Sequence, residues 1–111
     1  MASARAAELV FVVDVSALTD KGFVGSTEYE GKKIDLDFDD GAAGIFLNAE
    51  MASRLHVKKG SRVSLIVEDD SNRVAEATVA SVGRALRISD SRVYYLIGKE
   101  GGAIIRVRKA Q

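Results

Sequence analysis

A two-residue alternation of apolar and polar side chains dominates this chain. It is cleanest at 32–39, where Ile34, Leu36 and Phe38 alternate with Asp35, Asp37 and Asp39. One side of such a strand suits a core and the other suits water. Residues 8–15 are β-branched and aromatic, with Phe11, Val13 and Val15 on one side and Val10, Val12 and Asp14 on the other. That pattern predicts a strand buried over most of both faces. Residues 16–22 carry turn chemistry. The segments 23–30 and 32–39 then form a hairpin around Gly31, and 40–44 forms a loop before a short buried strand at 45–47.

The period changes once. Asn48 is placed to cap a helix over 49–57, with Met51, Ala52 and Leu55 on one stripe and Glu50 and Arg54 spaced for an i,i+4 pair. Lys58 and Lys59 suit the negative end of that helix, and Gly60 ends the segment. Strands follow at 61–68, with Val63, Leu65 and Val67 inward, and at 73–82, with small residues at Ala75 and Ala77. Gly83 marks a bulge or bend, and short strands follow at 84–88 and 103–109. The run 93–97 (Val-Tyr-Tyr-Leu-Ile) has strand propensity, yet Ser89 and Asp90 before it are cap formers. Strand and helical turn both stay open there, with strand preferred. The fold class expected is therefore mainly β: one domain over 1–111, a small six-to-eight-stranded β-barrel with one or two short helices, frayed over 1–7.

Laying 45–68 over 86–109, an offset of 41, needs no gap. It superposes Leu55 on Leu96, Lys58 on Lys99, Gly60 on Gly101 and Val63 on Ile104. Further upstream it places Ile34, Leu36 and Phe38 over Ala75, Ala77 and Val79. Two halves that each leave an apolar sheet face bare, and that close on each other, is the physical expectation.

Composition narrows the function classes. The chain has 111 residues with 47% hydrophobic and no Cys, Pro or Trp, so disulfide frameworks and thiolate chemistry are out. Lys+Arg and Asp+Glu are 16 each, which does not mark a nucleic-acid or membrane protein. No apolar run reaches the length of a membrane span, and the stretch 9–13 is too short for a signal-peptide core; a cytoplasmic protein is expected.

At 47–67 (LNAEMASRLHVKKGSRVSLIV) the chain resembles the strand–helix–glycine–strand unit of double-psi and related cradle-loop β-barrels. Those include aspartate-decarboxylase-like enzymes, substrate-binding domains of AAA ATPases and AbrB-type DNA-binding dimers. The resemblance implies a fold and leaves the activity open. Tyr29-Glu30-Gly31-Lys32-Lys33-Ile34-Asp35 looks like the self-cleavage neighbourhood of aspartate decarboxylase, but Lys32 stands where the serine belongs. Without that hydroxyl the acyl shift is absent there. Gly25-Ser26 is an available Gly-Ser pair at a different spacing, so self-processing at Ser26 is kept as an alternative.

A rival resemblance is to the PilZ barrel, which binds cyclic dinucleotides. Asp39-Asp40-Gly41-Ala42-Ala43-Gly44 is similar to its Asp/Asn-x-Ser-x-x-Gly loop through Asp39 and Gly44, with Gly41 in place of the serine. Its upstream Arg-x-x-x-Arg is missing, since Arg5 is the only arginine before Arg54. This implies a degenerate member whose nucleotide contacts are lost or altered.

Chemistry is sparse elsewhere. His56 is the single histidine, so neither a zinc site nor a Ser-His-Asp triad can be assembled, and a capping role near a helix end is favoured. Asp35, Asp37, Asp39 and Asp40 could offer calcium oxygens, but a solvated strand face is preferred. Gly98-Lys99-Glu100-Gly101-Gly102 is no phosphate loop.

Charge is uneven. Residues 1–40 hold 4 basic and 9 acidic side chains, and residues 73–111 hold 8 and 3. Arg84, Arg87, Arg92, Arg106 and Arg108 are the candidate basic patch, set against the alternative that acidic and basic strands neutralise each other as neighbours. The expectation is a non-catalytic binding or interaction module, with no cofactor and no metal. A protein partner or a second copy is its favoured ligand, and nucleic acid is disfavoured.

Overall fold

The computed structural model describes residues 7–19, 22–39, 44–68, 73–83, 86–89 and 101–110. Among them are eight strands and one helix: β1 (Glu8–Thr19), β2 (Gly22–Tyr29), β3 (Lys32–Asp39), β4 (Gly44–Asn48), α1 (Ala49–Leu55), β5 (Arg62–Glu68), β6 (Val74–Gly83), β7 (Arg87–Ser89) and β8 (Gly101–Lys109). The strands follow the order β3-β2-β1-β8-β5-β6-β4-β7, and β7 comes to lie against β3. No ladder joins β3 to β7 among the described residues, so the ring is a nearly closed barrel. The expectation of a mainly-β barrel of six to eight strands with one or two short helices holds, with eight strands and one helix among the described residues. The run 93–97 and the loop 40–43 lie outside the described residues.

Inward-facing residues of every strand fill the barrel. Leu9, Phe11, Val13 and Val15 of β1 meet Val63, Leu65 and Val67 of β5, Ala75, Ala77 and Val79 of β6, and Ile105 and Val107 of β8. Met51, Ala52 and Leu55 of α1 are buried in the same cluster, as their helical spacing predicts. An eight-stranded barrel is just wide enough to be filled by side chains, and this one is.

Four local departures have physical causes. First, β1 is buried on one face only, because Val10 and Val12 are 41% and 56% exposed. Second, of the turn expected at 16–22, residues 16–19 belong to β1 and Gly22 already opens β2. The register against β2 shifts between Val15 and Ala17, and the bulged Ser16 donates its hydroxyl to the Val24 carbonyl at 3.1 Å. Gly25 lies opposite that bulge, where a Cβ would stand 2.2 Å from the Asp14 carbonyl oxygen. Third, α1 stops at Leu55, because His56 adopts φ 56° and donates its N–H to the carbonyls of Ala52 and Ser53; Lys58 and Lys59 lie beyond it. At the other end the Asn48 side chain accepts from the Met51 N–H at 2.8 Å, as expected of its cap. Fourth, β6 carries through Gly83 and β7 spans only three residues.

The two halves are related as the sequence echo implies, with one correction. Exchanging β3, β4 and β5 with β6, β7 and β8 reproduces the neighbour relations: β5 pairs β8, β4 pairs β7, and the parallel pair β4·β6 has its counterpart in the β7 contact on β3. The exception is β5·β6, whose counterpart β8·β3 is parted by the β1–β2 hairpin. The ungapped overlay fails past the helix. It sets fully buried Val63 on half-buried Ile104, whereas the inward residues opposite Leu65 and Val67 are Val107 and Ile105. A shift of one residue restores the faces, since side chains alternate sides along a strand.

Candidate functional site

Two outer surfaces carry the chemistry of the described residues. The first is the outer face of β1–β2–β3. β2 and β3 turn through Glu30 and Gly31, both left-handed at φ 53° and 79°, the geometry of a tight two-residue hairpin. Register then sets Val12 against Glu28 and Lys33 in one row, and Asp14 against Ser26 and Asp35 in the next. An open hollow of about 530 Å³ lies over these rows, its lining including Val12, Asp14, Ser26, Glu28, Glu30 and Lys33. Glu30 is tied to Arg54 of α1, whose guanidinium also sits 5.6 Å from the centre of the Tyr29 ring. No ion pair forms on Asp14, Glu28 or Asp35 among the described residues.

Beneath the hollow, β2 turns two hydroxyl-bearing side chains inward. Thr27 and Tyr29 are buried, and neither hydroxyl has a partner among the described residues. Burial pushes the Tyr29 hydroxyl above its ordinary pKa, and its ring packs 6.2 Å from that of Phe11.

The second surface centres on β8. Arg106 and Arg108 point outward from it, as the alternation predicts. Arg106 reaches Glu8 of β1 at 2.8 Å and Glu68 of β5 at 2.9 Å, while Arg108 reaches the other Glu8 oxygen at 2.9 Å. The Arg108 hydrogen bond, opposed by partial burial and helped by the charges of both arginines, holds the Glu8 carboxyl below its ordinary pKa. Hydrogen bonding and attraction to Glu68 raise Arg106 further.

The remaining candidates fall elsewhere. Arg87 lies on β7, four strands from β8 in either direction round the ring, with its guanidinium 5.7 Å from the Phe46 ring centre. Arg84 and Arg92 lie outside the described residues; among the described candidates Arg106 and Arg108 come together and Arg87 stands apart. Of the loop candidates, Asp39 ends β3 opposite Gly22, and Gly41 lies outside the described residues. Gly44 opens β4 at φ 107°, where a Cβ would meet the Thr78 carbonyl at 2.4 Å. Gly25-Ser26 sits within the β2 ladder, with Ser26 opposite Asp14 and Asp35. His56 is the exposed helix cap already described. Among the described residues no group of three or more His, Asp or Glu side chains could hold a metal, and no helix is long and apolar enough to cross a membrane.

The hollow was missed by sequence reasoning, although its signal was present. The excess of acid over base in residues 1–40 marks the lobe, but which carboxylates stay unpaired depends on strand order. No family model, curated protein or solved structure matches this chain.

Proposed function

We propose that this chain is a non-catalytic interaction module that binds a basic segment of a partner protein in the hollow over β1–β2–β3. The observation that carries this reading is the pairing pattern. The lining places three carboxylates against one ammonium, and Asp14 and Glu28 have no ion pair among the described residues. The apolar filling of the barrel favours an outside site, and a cationic side chain seated over Val12 gains both charge and aliphatic contact. The resemblance of 47–67 to cradle-loop barrels is compatible with this role, because β4, α1 and β5 have the expected strand–helix–strand order.

The test is a titration of isotopically labelled protein with an alternating lysine–valine octapeptide, followed by amide chemical shifts. Shifts concentrated at Val12, Asp14, Ser26, Glu28 and Lys33 are expected. The double variant D14N/E28Q should weaken binding by about tenfold, and added salt should weaken it too. Shifts absent or spread evenly over the barrel overturn the reading. So does a saturable response to cyclic dinucleotides at Asp39–Gly44 in place of the peptide response. An intact mass below 11.9 kDa, with a break at Gly25-Ser26, would favour self-processing instead.

A further inference from the structure

On the reading of the hollow as the seat of a basic segment, on which this rests, we infer that Arg54 is the built-in competitor for that seat. It holds the Glu30 carboxylate until an incoming cation displaces it. Glu30 belongs to the hollow's lining, yet its carboxylate is bonded to Arg54 from α1. The other two lining carboxylates, Asp14 and Glu28, have no ion pair among the described residues. A cation that enters over Asp14 and Glu28 therefore meets a third carboxylate that is already occupied. The occupant carries the same charge as the visitor, so the two exclude each other there.

Arg54 has somewhere else to go. Glu50 stands four residues earlier on the same helix, the spacing at which a carboxylate and a guanidinium meet on a helix surface. Arg54 instead reaches Glu30, 24 residues away in sequence, and no ion pair joins it to Glu50 among the described residues. Two carboxylates thus compete for one guanidinium. The pair that forms is exposed on both sides, at 52% and 43%, and exposed pairs are weak. A segment seated in the hollow moves Arg54 from Glu30 to Glu50 at small cost.

The helix itself keeps its place during this exchange. Its buried side chains, Met51, Ala52 and Leu55, belong to the barrel core, and α1 packs against β1, β4 and β6. Among the described residues, Arg54 makes the one side-chain hydrogen bond between α1 and the β2–β3 hairpin. Tyr29 records the change. The Arg54 guanidinium sits 5.6 Å from the centre of its ring, a weakly attractive cation–π contact, and the ring is fixed by burial and by Phe11. A guanidinium that leaves Glu30 moves relative to a ring that stays.

Titration of isotopically labelled protein with the alternating lysine–valine octapeptide tests this, followed at the Arg54 Nε–H and Tyr29 ring resonances. Both should move as the hollow fills. They should end near the positions they hold in unliganded E30Q, where Arg54 has lost the same partner. R54Q leaves Glu30 open and should bind the octapeptide about threefold more tightly, with an unchanged far-ultraviolet spectrum. Shifts at Val12, Asp14 and Glu28 that leave the Arg54 Nε–H signal in place overturn the inference and spare the proposed function. So does an R54Q variant that binds no more tightly than the parent. No response anywhere in the hollow overturns both.

Discussion

The strand β1 serves both outer faces, and its two carboxylates meet opposite fates. Glu8 is opposite Arg108 and beside Arg106 on β8, so it bonds to both. Asp14, six residues on, faces Gly102 on one side and Ser26 on the other, and no cation reaches it among the described residues. Residue type is nearly the same, and register alone decides. A shift of β8 by a single position would turn its arginines into the core, since neighbouring residues face opposite sides. The pairing of Glu8 is therefore a consequence of core packing, and the unpaired state of Asp14 is available for something outside the chain.

That contrast can be broken most severely at Gly25. A side chain there collides with the Asp14 carbonyl at the bulge, so G25V should cost about 3 kcal/mol or more. Amide exchange should accelerate first in β1 and β2 around the hollow, and urea unfolding gives the total loss. A uniform acceleration across β5, β6 and β8 would contradict a local role for the bulge.

A milder comparison sets E8Q against D14N. Glu8 has a depressed pKa in the folded state, so its contribution is present above its unfolded value. It is lost as pH falls through the lower folded value. E8Q should therefore lose up to about 1 kcal/mol at pH 7 and show a flatter stability profile on the acid side. D14N should stay within about 0.5 kcal/mol of the parent and keep the parent's acid limb. Equal effects from both would mean that Asp14 has a partner after all.

An effect of opposite sign belongs to Tyr29. Its hydroxyl is buried without a partner among the described residues, so Y29F should leave stability unchanged or raise it by about 1 kcal/mol. Because burial raises its folded pKa, the parent should lose stability as pH climbs past the unfolded value near 10. The Y29F profile should be flatter there, as denaturant midpoints across that range would reveal.

Much of the fold was legible because local rules coincide with tertiary need. Ile34 and Leu36 against Asp35, Val63, Leu65 and Val67, and the Asn48 cap all behave as their pattern dictates. Val10 and Val12 misled, because β-branched residues read alike whether they are buried or facing out from a broad sheet. Ser16 looked like a turn former and proved to be a bulge, a distinction set by the partner strand. His56 ended the helix ahead of Gly60 by taking the left-handed conformation itself. The site was the least legible part. Glu8 and Arg108 are 100 residues apart in sequence yet bonded, and Arg87 and Arg106 look like one patch yet stand on opposite sides of the ring.

The hairpin that parts β8 from β3 also widens the bore. A six-membered ring would have little room beyond the small staves Ala75 and Ala77, whereas two more strands enlarge the lumen and supply the stuffing for it. Phe11 and Tyr29, the aromatic pair from those very strands, are the plug that the wider tube requires. Trimming the hairpin away would thus remove the extra girth and its contents together.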